Sequence, residues 1–246
     1  MFFHLKPILL SLALLVGYEL AAYRYDMAPW ILGFVLLSVI VGTYKIVGRW
    51  SMSLFPIIYF AGSSALLFFV SGGAFRQAYI FVAVLSYYLI LLSIYRLNSY
   101  QKDETARRIS YIMSLATVFI WCASLYAVYL NRNIGFWMIS LIVYVVVWGV
   151  THQLLKTAVL KEGVNYHLYS FTASYCMMII GWGVFFLPFG YLTLASLMLA
   201  VYFIITNYLI AALKEDFSPV SFAFDVVIFL VSVIFVVTSA RWHLLK

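Results

Sequence analysis

The stretch from Ile134 to Leu155 reads IGFWMISLIVYVVVWGVTHQLL and contains no Asp, Glu, Lys or Arg. An α-helix rises about 1.5 Å per residue, so this stretch is long enough to cross a bilayer core of about 30 Å. Backbone N–H and C=O groups in hydrocarbon must be paired internally, which only helices and closed barrels achieve. A barrel strand would be about ten residues long and would alternate apolar with polar side chains. The continuous apolar run therefore predicts a membrane-spanning helix.

The rest of the chain has the same character. Of its 246 residues, 66% are hydrophobic and 9% are charged, whereas soluble domains are about 45–50% apolar and about 25% charged. A soluble fold of this size must keep much of its surface wet and cannot hide so many apolar side chains. We therefore predict an all-α fold, a polytopic transmembrane helical bundle, in which residues 1–246 form a single transmembrane domain.

Breaks in the apolar runs divide the chain into about nine helices, arranged as four hairpins plus one closing helix. Pro29 and Pro219 suit the first turn of a helix, and Gly72-Gly73 is typical of a turn. The first run is interpreted as a retained helix rather than a signal peptide, because Glu19 interrupts it and it lacks a small-x-small cleavage site. The predicted helices are residues 7–23, 29–47, 54–71, 75–95, 109–130, 134–155, 166–187, 191–213 and 219–240.

The basic residues predict an orientation. The N-terminus and the longer connections hold ten of the fifteen Lys and Arg, namely Lys6, Lys45, Arg49, Arg96, Lys102, Arg107, Arg108, Lys156, Lys161 and Lys214. The opposite side holds the other five, namely Arg24, Arg76, Arg132, Arg241 and Lys246. Cytoplasmic loops are enriched in Lys and Arg. We therefore expect an integral protein of the cytoplasmic (inner) membrane with its N-terminus in the cytoplasm and its C-terminus outside.

Polar side chains at membrane depth form the first candidate site. Asp225 lies about 10 Å inside the start of helix nine, and Asn207 lies about 10 Å before the end of helix eight, so the two can face each other. His152 lies near the end of helix six and His167 begins helix seven, on the same predicted side. Because an ionisable group is costly to bury in a membrane, these residues are candidates for an ion or proton relay. The alternative is that Asn207 hydrogen-bonds Asp225 to fix helix packing, while both histidines lie at the interface.

A second candidate is a charged cluster on the outer side. It consists of Glu19, Arg24, Asp26, Arg76 and Arg132. One interpretation is a vestibule that gathers a charged headgroup or substrate. The preferred interpretation is structural, with Glu19 paired to an arginine from another turn so that the hairpins are held together.

No catalytic residue, metal site or cofactor is predicted. The chain contains no HExxH, GxSxG or P-loop motif, which are the patterns that carry metal, acyl-transfer or phosphate chemistry. The acidic pairs Asp103-Glu104 and Glu215-Asp216 are interpreted as solvated loop charges. Cys122 and Cys176 lie within apolar runs and are interpreted as small buried residues. The Lys and Arg form no basic helix face, so nucleic acid is not an expected partner.

Three function classes remain after these exclusions. The preferred one is a non-catalytic membrane subunit or scaffold that binds lipid or other membrane proteins. The alternatives are a small transporter or channel that uses Asp225, His152 and His167, and an intramembrane lipid-modifying enzyme. The scaffold is preferred because only Asp225 and Glu19 lie clearly inside a predicted span, whereas transporters carry polar residues near the membrane midplane.

The expected partners are membrane lipids and either other membrane proteins or further copies of this chain. Ser170, Ser174 and Met178 follow one another at four-residue spacing on helix seven. Small side chains allow neighbouring helices to approach closely in membranes. This face is therefore a candidate for contact with a partner helix, or with the interior of the chain itself.

Overall fold

The computed structural model describes residues 5–132, 134–159, 163–215 and 217–239. Within these ranges the chain forms nine α-helices and no strand, an all-α helical bundle that confirms the predicted fold class. The helices are α1 (Leu5–Tyr23), α2 (Ala28–Val47), α3 (Trp50–Leu67), α4 (Gly73–Ser99), α5 (Glu104–Asn131), α6 (Phe136–Ala158), α7 (Tyr166–Val184), α8 (Tyr191–Lys214) and α9 (Pro219–Ser239). A 3-10 turn, Tyr25–Met27, joins α1 to α2.

Most of these helices have the length and composition of membrane spans. In the described ranges, six segments are long and apolar enough to cross a membrane: α1, α2 together with its preceding 3-10 turn, α4, α5, α6 and α8. α3 and α9 contain the shorter apolar stretches Met52–Leu67 and Phe222–Thr238. The apolar helices therefore make the chain an integral membrane protein, as predicted.

α4 and α5 extend beyond the apolar runs that predicted them. α4 ends four residues later than predicted, at Ser99, and α5 begins five residues earlier, at Glu104. Helical hydrogen bonds do not depend on side-chain hydropathy, so a helix continues through polar residues until a cap ends it. The carboxylate of Asp103 accepts a hydrogen bond from the Ala106 N–H and caps the start of α5.

α3 is displaced by four residues from its predicted position, at 50–67 instead of 54–71. α2 ends at Gly48, whose φ of +69° places it in the left-handed region that glycine adopts without strain. Arg49 is extended, so the next helix begins at once, at Trp50. At the other end the chain leaves the helix at Phe68, before the Gly72-Gly73 pair that was expected to end it. The turn before α4 is thus longer than the two glycines alone indicate.

The chain divides into two compact units, Met1–Met113 and Ser114–Lys246. In the first unit, α1 and α3 each pack against both α2 and α4. In the second unit, α7 packs against α6 and α8, and α9 packs against α8. The boundary falls within α5. A single domain over residues 1–246 stays a prediction.

Some predictions concern residues outside the described ranges. They are the last residue of helix nine, Ala240, the acidic residue Asp216, and the basic residues Lys161, Arg241 and Lys246. The orientation of the chain in the membrane also stays a prediction.

Candidate functional site

His152 and His167 lie against each other near the end of α6 and the start of α7. Their rings stack with centroids 4.1 Å apart and an interplanar angle of 20°. The Trp148 ring lies beside both, with its centroid 6.3 Å from that of His152 and 6.1 Å from that of His167. The fold thus brings the two predicted histidines into one aromatic cluster, the histidine cluster, which consists of Trp148, His152 and His167.

The two ring nitrogens of His152 have different environments. The ring donates a hydrogen bond to the backbone carbonyl of Tyr166, while Nδ1 is buried and has no hydrogen-bond partner among the described residues. Because the rings of His152 and His167 stack face to face, their in-plane lone pairs lie in nearly parallel planes and do not converge on one point. The pair is therefore arranged to hydrogen-bond a further group rather than to chelate one metal ion.

A groove of about 640 Å³ opens beside the histidine cluster. The residues that line this α6–α7 groove are Tyr144, Val145 and Trp148 from α6 and Asn165, His167, Leu168 and Phe171 from α7. Tyr144 and Phe171 meet edge to face with centroids 5.6 Å apart. Asn165 caps α7 by accepting a hydrogen bond from the Leu168 N–H. The groove combines an aromatic wall with imidazole and amide groups at one end.

Asp225 and Asn207 occupy two neighbouring helices, α9 and α8. Asp225 is half-buried on α9 and Asn207 is half-buried on α8, and these two helices pack together. Within the described part of the chain, no hydrogen bond or ion pair joins Asp225 to His152 or His167. The relay that was predicted to combine all four residues, and the pairing of Asn207 with Asp225, stay predictions.

In the outer charged cluster, Glu19 has a different partner from the arginine that the preferred interpretation gave it. The Glu19 carboxylate accepts a hydrogen bond from Gln77 Nε2 on α4 at 3.1 Å, and the ion-paired residues of the described ranges do not include Glu19. Arg76 donates to the Val70 carbonyl instead. α1 and α4 are thus joined as expected, but through the side-chain amide of Gln77 rather than through an arginine.

Three members of that cluster remain, namely Arg24, Asp26 and Arg132. Arg24 and Asp26 are exposed in the connection between α1 and α2, and Arg132 belongs to the second unit. The vestibule that would combine all five residues therefore stays a prediction.

The serine face of helix seven is buried inside the chain. Ser170 and Ser174 are both 0% exposed, and each hydroxyl donates to a carbonyl one turn earlier in α7. Of the two alternatives for this face, Ser170 and Ser174 therefore fit the interior of the chain, because α7 packs against α6 and α8.

A buried hydroxyl network in the first unit was not predicted. The Tyr18 hydroxyl on α1 hydrogen-bonds the Ser63 hydroxyl on α3, and the Tyr79 hydroxyl on α4 donates to the Ser63 carbonyl at 2.7 Å. The network therefore ties three helices together at one serine. Tyr and Ser within apolar runs are the sequence signal, but a chain with 20 tyrosines does not single out these two.

Two further buried polar side chains were also missed. Gln153 is 4% exposed, and neither atom of its amide group has a partner among the described residues. The Tyr87 hydroxyl in the first unit is also buried without a hydrogen-bond partner among the described residues. Buried polar groups in native proteins are nearly always hydrogen-bonded, so each of these is a position where a water molecule or another polar group belongs.

Asp103 has a structural role rather than that of a solvated loop charge. Besides capping α5, its carboxylate forms an ion pair with Arg96 at 2.7 Å. The hydrogen bond from the Ala106 N–H, together with the bond and charge of Arg96, lowers the pKa of Asp103 below its usual value of 3.8. This contact closes the α4–α5 connection.

Two grooves on the outer surface of the helices are almost wholly apolar. The α1–α2 groove measures about 840 Å³, and its lining includes Leu20, Trp30, Phe34 and Val35. A groove of about 510 Å³ in the second unit is lined mainly by α8 and α9. Trp30 and Phe34 are 83% and 73% exposed, so the walls of the α1–α2 groove face outward.

Compared with models of protein families, with curated proteins and with solved structures, the chain shows no significant match. Function therefore has to be inferred from the chain's own residues. By its apolar helices, the chain is an integral membrane protein of the all-α helical class.

Proposed function

We propose that this chain is a non-catalytic integral membrane protein that binds lipids or the helices of other membrane proteins along its outer surface. The observation that carries the proposal is the α1–α2 groove of about 840 Å³. A groove that faces hydrocarbon and is lined by aromatic and aliphatic side chains suits an acyl chain or an apolar helix.

The distribution of ionisable groups supports the same proposal. Inside the helices, Glu19 is engaged by Gln77 in the first unit, whereas Asp225 lies on α9 in the second. Transport sites and hydrolytic sites need several polar groups directed at one point. The α1–α2 groove and the α8–α9 groove are lined almost wholly by apolar side chains, which favours binding over chemistry.

We also propose the inner membrane as the location, with the N-terminus in the cytoplasm. This proposal rests on the excess of Lys and Arg in the N-terminus and the longer connections. Lys156 lies in the last turn of α6 and Lys214 in the last turn of α8, where a cation also interacts favourably with the helix dipole.

A small transporter or channel is the second candidate, and one observation favours it. His152 has an unpartnered buried Nδ1, and the neighbouring Gln153 has an unpartnered amide group. Polar groups of this kind inside a membrane span are expected along ion or proton pathways. The transporter predicts proton flux into liposomes that His152→Gln abolishes while the fold is retained.

Native mass spectrometry after extraction in a mild detergent tests the proposal. We expect the 28.2 kDa chain to carry bound lipid, further copies of itself or another membrane protein. A monodisperse monomer without lipid or subunit would refute the proposal and move the transporter to first place.

A further inference from the structure

The α6–α7 groove differs from the apolar grooves in having a polar end. Tyr144, Trp148, His152 and Lys156 follow one another at four-residue spacing along α6, so they share one face of the helix. Along this face the side chains change from aromatic through imidazole to ammonium. On α7, Phe171 and His167 repeat the order from aromatic to imidazole one turn apart.

The ring contacts show that these two faces meet. Tyr144 contacts Phe171 in the deeper part of the groove, and His152 stacks on His167 at its polar end. Lys156 follows His152 by one helical turn, so the two side chains are neighbours on this face of α6. A Lys at the end of a membrane helix extends its ammonium toward the headgroup region while its stem stays on apolar surface.

The polar end lies where three helix ends come together. Leu155 and Val159 of α6 form a buried cluster with Leu213 of α8, and Tyr166 of α7 packs against it. Lys214 and Glu215 directly follow Leu213, so the charges at the end of α8 offset each other, and Lys156 is the cation that α6 contributes to this end. No Asp or Glu is among the residues that line the groove. The ammonium group of Lys156 therefore favours an anion in this groove.

We propose that the α6–α7 groove is a binding site for one anionic phospholipid. The acyl chain lies between Tyr144 and Phe171, and the headgroup phosphate is bound by Lys156 and by the imidazole of His167. The side-chain amide N–H₂ of Asn165 remains free to donate, because its Oδ1 serves as the cap of α7. This inference rests on the proposed lipid-binding function and names the lipid class and the site.

Two properties of the groove point to a lipid. Its apolar part is open at the surface of the helices, as Leu168 and Phe171 are 60% and 53% exposed. Its polar part is at the helix ends, where headgroups lie. An aromatic groove can also accept a choline headgroup through cation–π contacts, but Lys156 repels that cation.

The test is a lipid titration of the delipidated full-length protein, followed by native mass spectrometry. The probes are phosphatidylglycerol and phosphatidylcholine with identical acyl chains, at one pH and ionic strength. We expect one phosphatidylglycerol molecule to bind more tightly than phosphatidylcholine. Lys156→Gln should lower the affinity for phosphatidylglycerol about fivefold, since one lysine near an anionic headgroup contributes about that factor to binding.

Two further variants separate the headgroup from the acyl chain. His167→Gln should reduce the preference for phosphatidylglycerol, whereas Phe171→Ala should lower the affinity for both lipids equally. Lys45→Gln is the matched control, because Lys45 lies in the last turn of α2 in the first unit. It should leave the tight site unchanged.

The outcomes separate this inference from the proposed function. Equal loss in Lys45→Gln and Lys156→Gln, or equal affinity for the two lipids, would overturn the site while the lipid-binding function stands. Preference for phosphatidylcholine would identify the groove as a choline site and would also overturn it. If the wild-type protein retains neither lipid nor protein partner, the proposed function itself fails.

Discussion

Replacing Gly17 with alanine tests how α1 and α2 pack. A Cβ built on Gly17 lies under 3.0 Å from Val35 Cγ2, with Val35 Cβ and Cγ1 at 3.5 Å. Valine in a helix has one strongly preferred rotamer, so its methyl group cannot turn away. Gly17→Ala must therefore push α1 and α2 apart.

The magnitude follows from two opposing effects. Overpacking a well-packed contact costs about 1–3 kcal/mol, whereas Gly→Ala within a helix gains up to about 1 kcal/mol. Gly33 on α2 is the matched control, because a Cβ there meets nothing within 4 Å. Both substitutions gain the same helix propensity, so the difference between them reports the overpacking alone. The free energy of unfolding of Gly17→Ala should thus be about 1–3 kcal/mol below that of Gly33→Ala.

Gly42 provides an intermediate case. A Cβ on Gly42 lies 2.7 Å from Leu10 Cδ1, but the leucine side chain can change rotamer more readily than Val35. We expect the free energy of unfolding of Gly42→Ala to lie between those of Gly17→Ala and Gly33→Ala.

Equilibrium unfolding in mixed micelles, with SDS as the denaturant, measures these free energies. Val35→Ala removes the two methyl groups that oppose the new Cβ, so Gly17→Ala should cost little when Val35→Ala is already present. Two results would contradict the packing described for α1 and α2. One is a Gly17→Ala protein as stable as Gly33→Ala, and the other is an undiminished cost in the double variant.

Three further predictions concern single polar groups. Tyr18→Phe should lower the free energy of unfolding by about 0.5–1.5 kcal/mol, because it removes the hydrogen bond to Ser63 between α1 and α3; no change in SDS unfolding would count against the network. The lowered pKa of Asp103 gives stability that is fully present above pH 3.8 and is lost as the pH falls through the folded-state pKa. Asp103→Asn keeps the cap but loses the pair with Arg96, so unfolding measured from about pH 5 to pH 2.5 should depend less on pH than in the wild type. Asp225→Asn should leave expression and complex formation nearly intact, and a selective loss of proton or cation flux in liposomes would favour the transporter.

The positions of the helices could be predicted from the sequence because the membrane limits the choices of the backbone. α6 was predicted within two or three residues at each end, since an apolar run without charges must pair its backbone internally. The errors fall where polar caps decide the ends. Asp103 begins α5 a turn before the apolar run, and Gly48 ends α2 so that α3 begins early.

The contacts between helices could not be predicted in the same way. Apolar side chains surround each span on all sides, so their period does not reveal which face is buried. The sequence placed His152 and His167 on the same side of the membrane, but only packing shows that their rings stack. The partner of Glu19 was expected among the arginines and is Gln77, because helix rotation sets which side chain reaches it.

The main prediction is that all nine helices cross the membrane, although α3, α7 and α9 are not among the six described segments that are long and apolar enough to span it. A tag-accessibility scan tests this claim, with reporters near Gln101, near Gly163 and near Gly190, in the α8–α9 connection, and after Leu244. We predict that the reporters near Gln101, near Gly163 and in the α8–α9 connection are cytoplasmic. The reporters near Gly190 and after Leu244 should be outside. The same side for the Gly163 and Gly190 reporters would show that α7 does not cross. The same side for the reporters in the α8–α9 connection and after Leu244 would show that α9 does not cross. Either result would contradict the nine-helix topology.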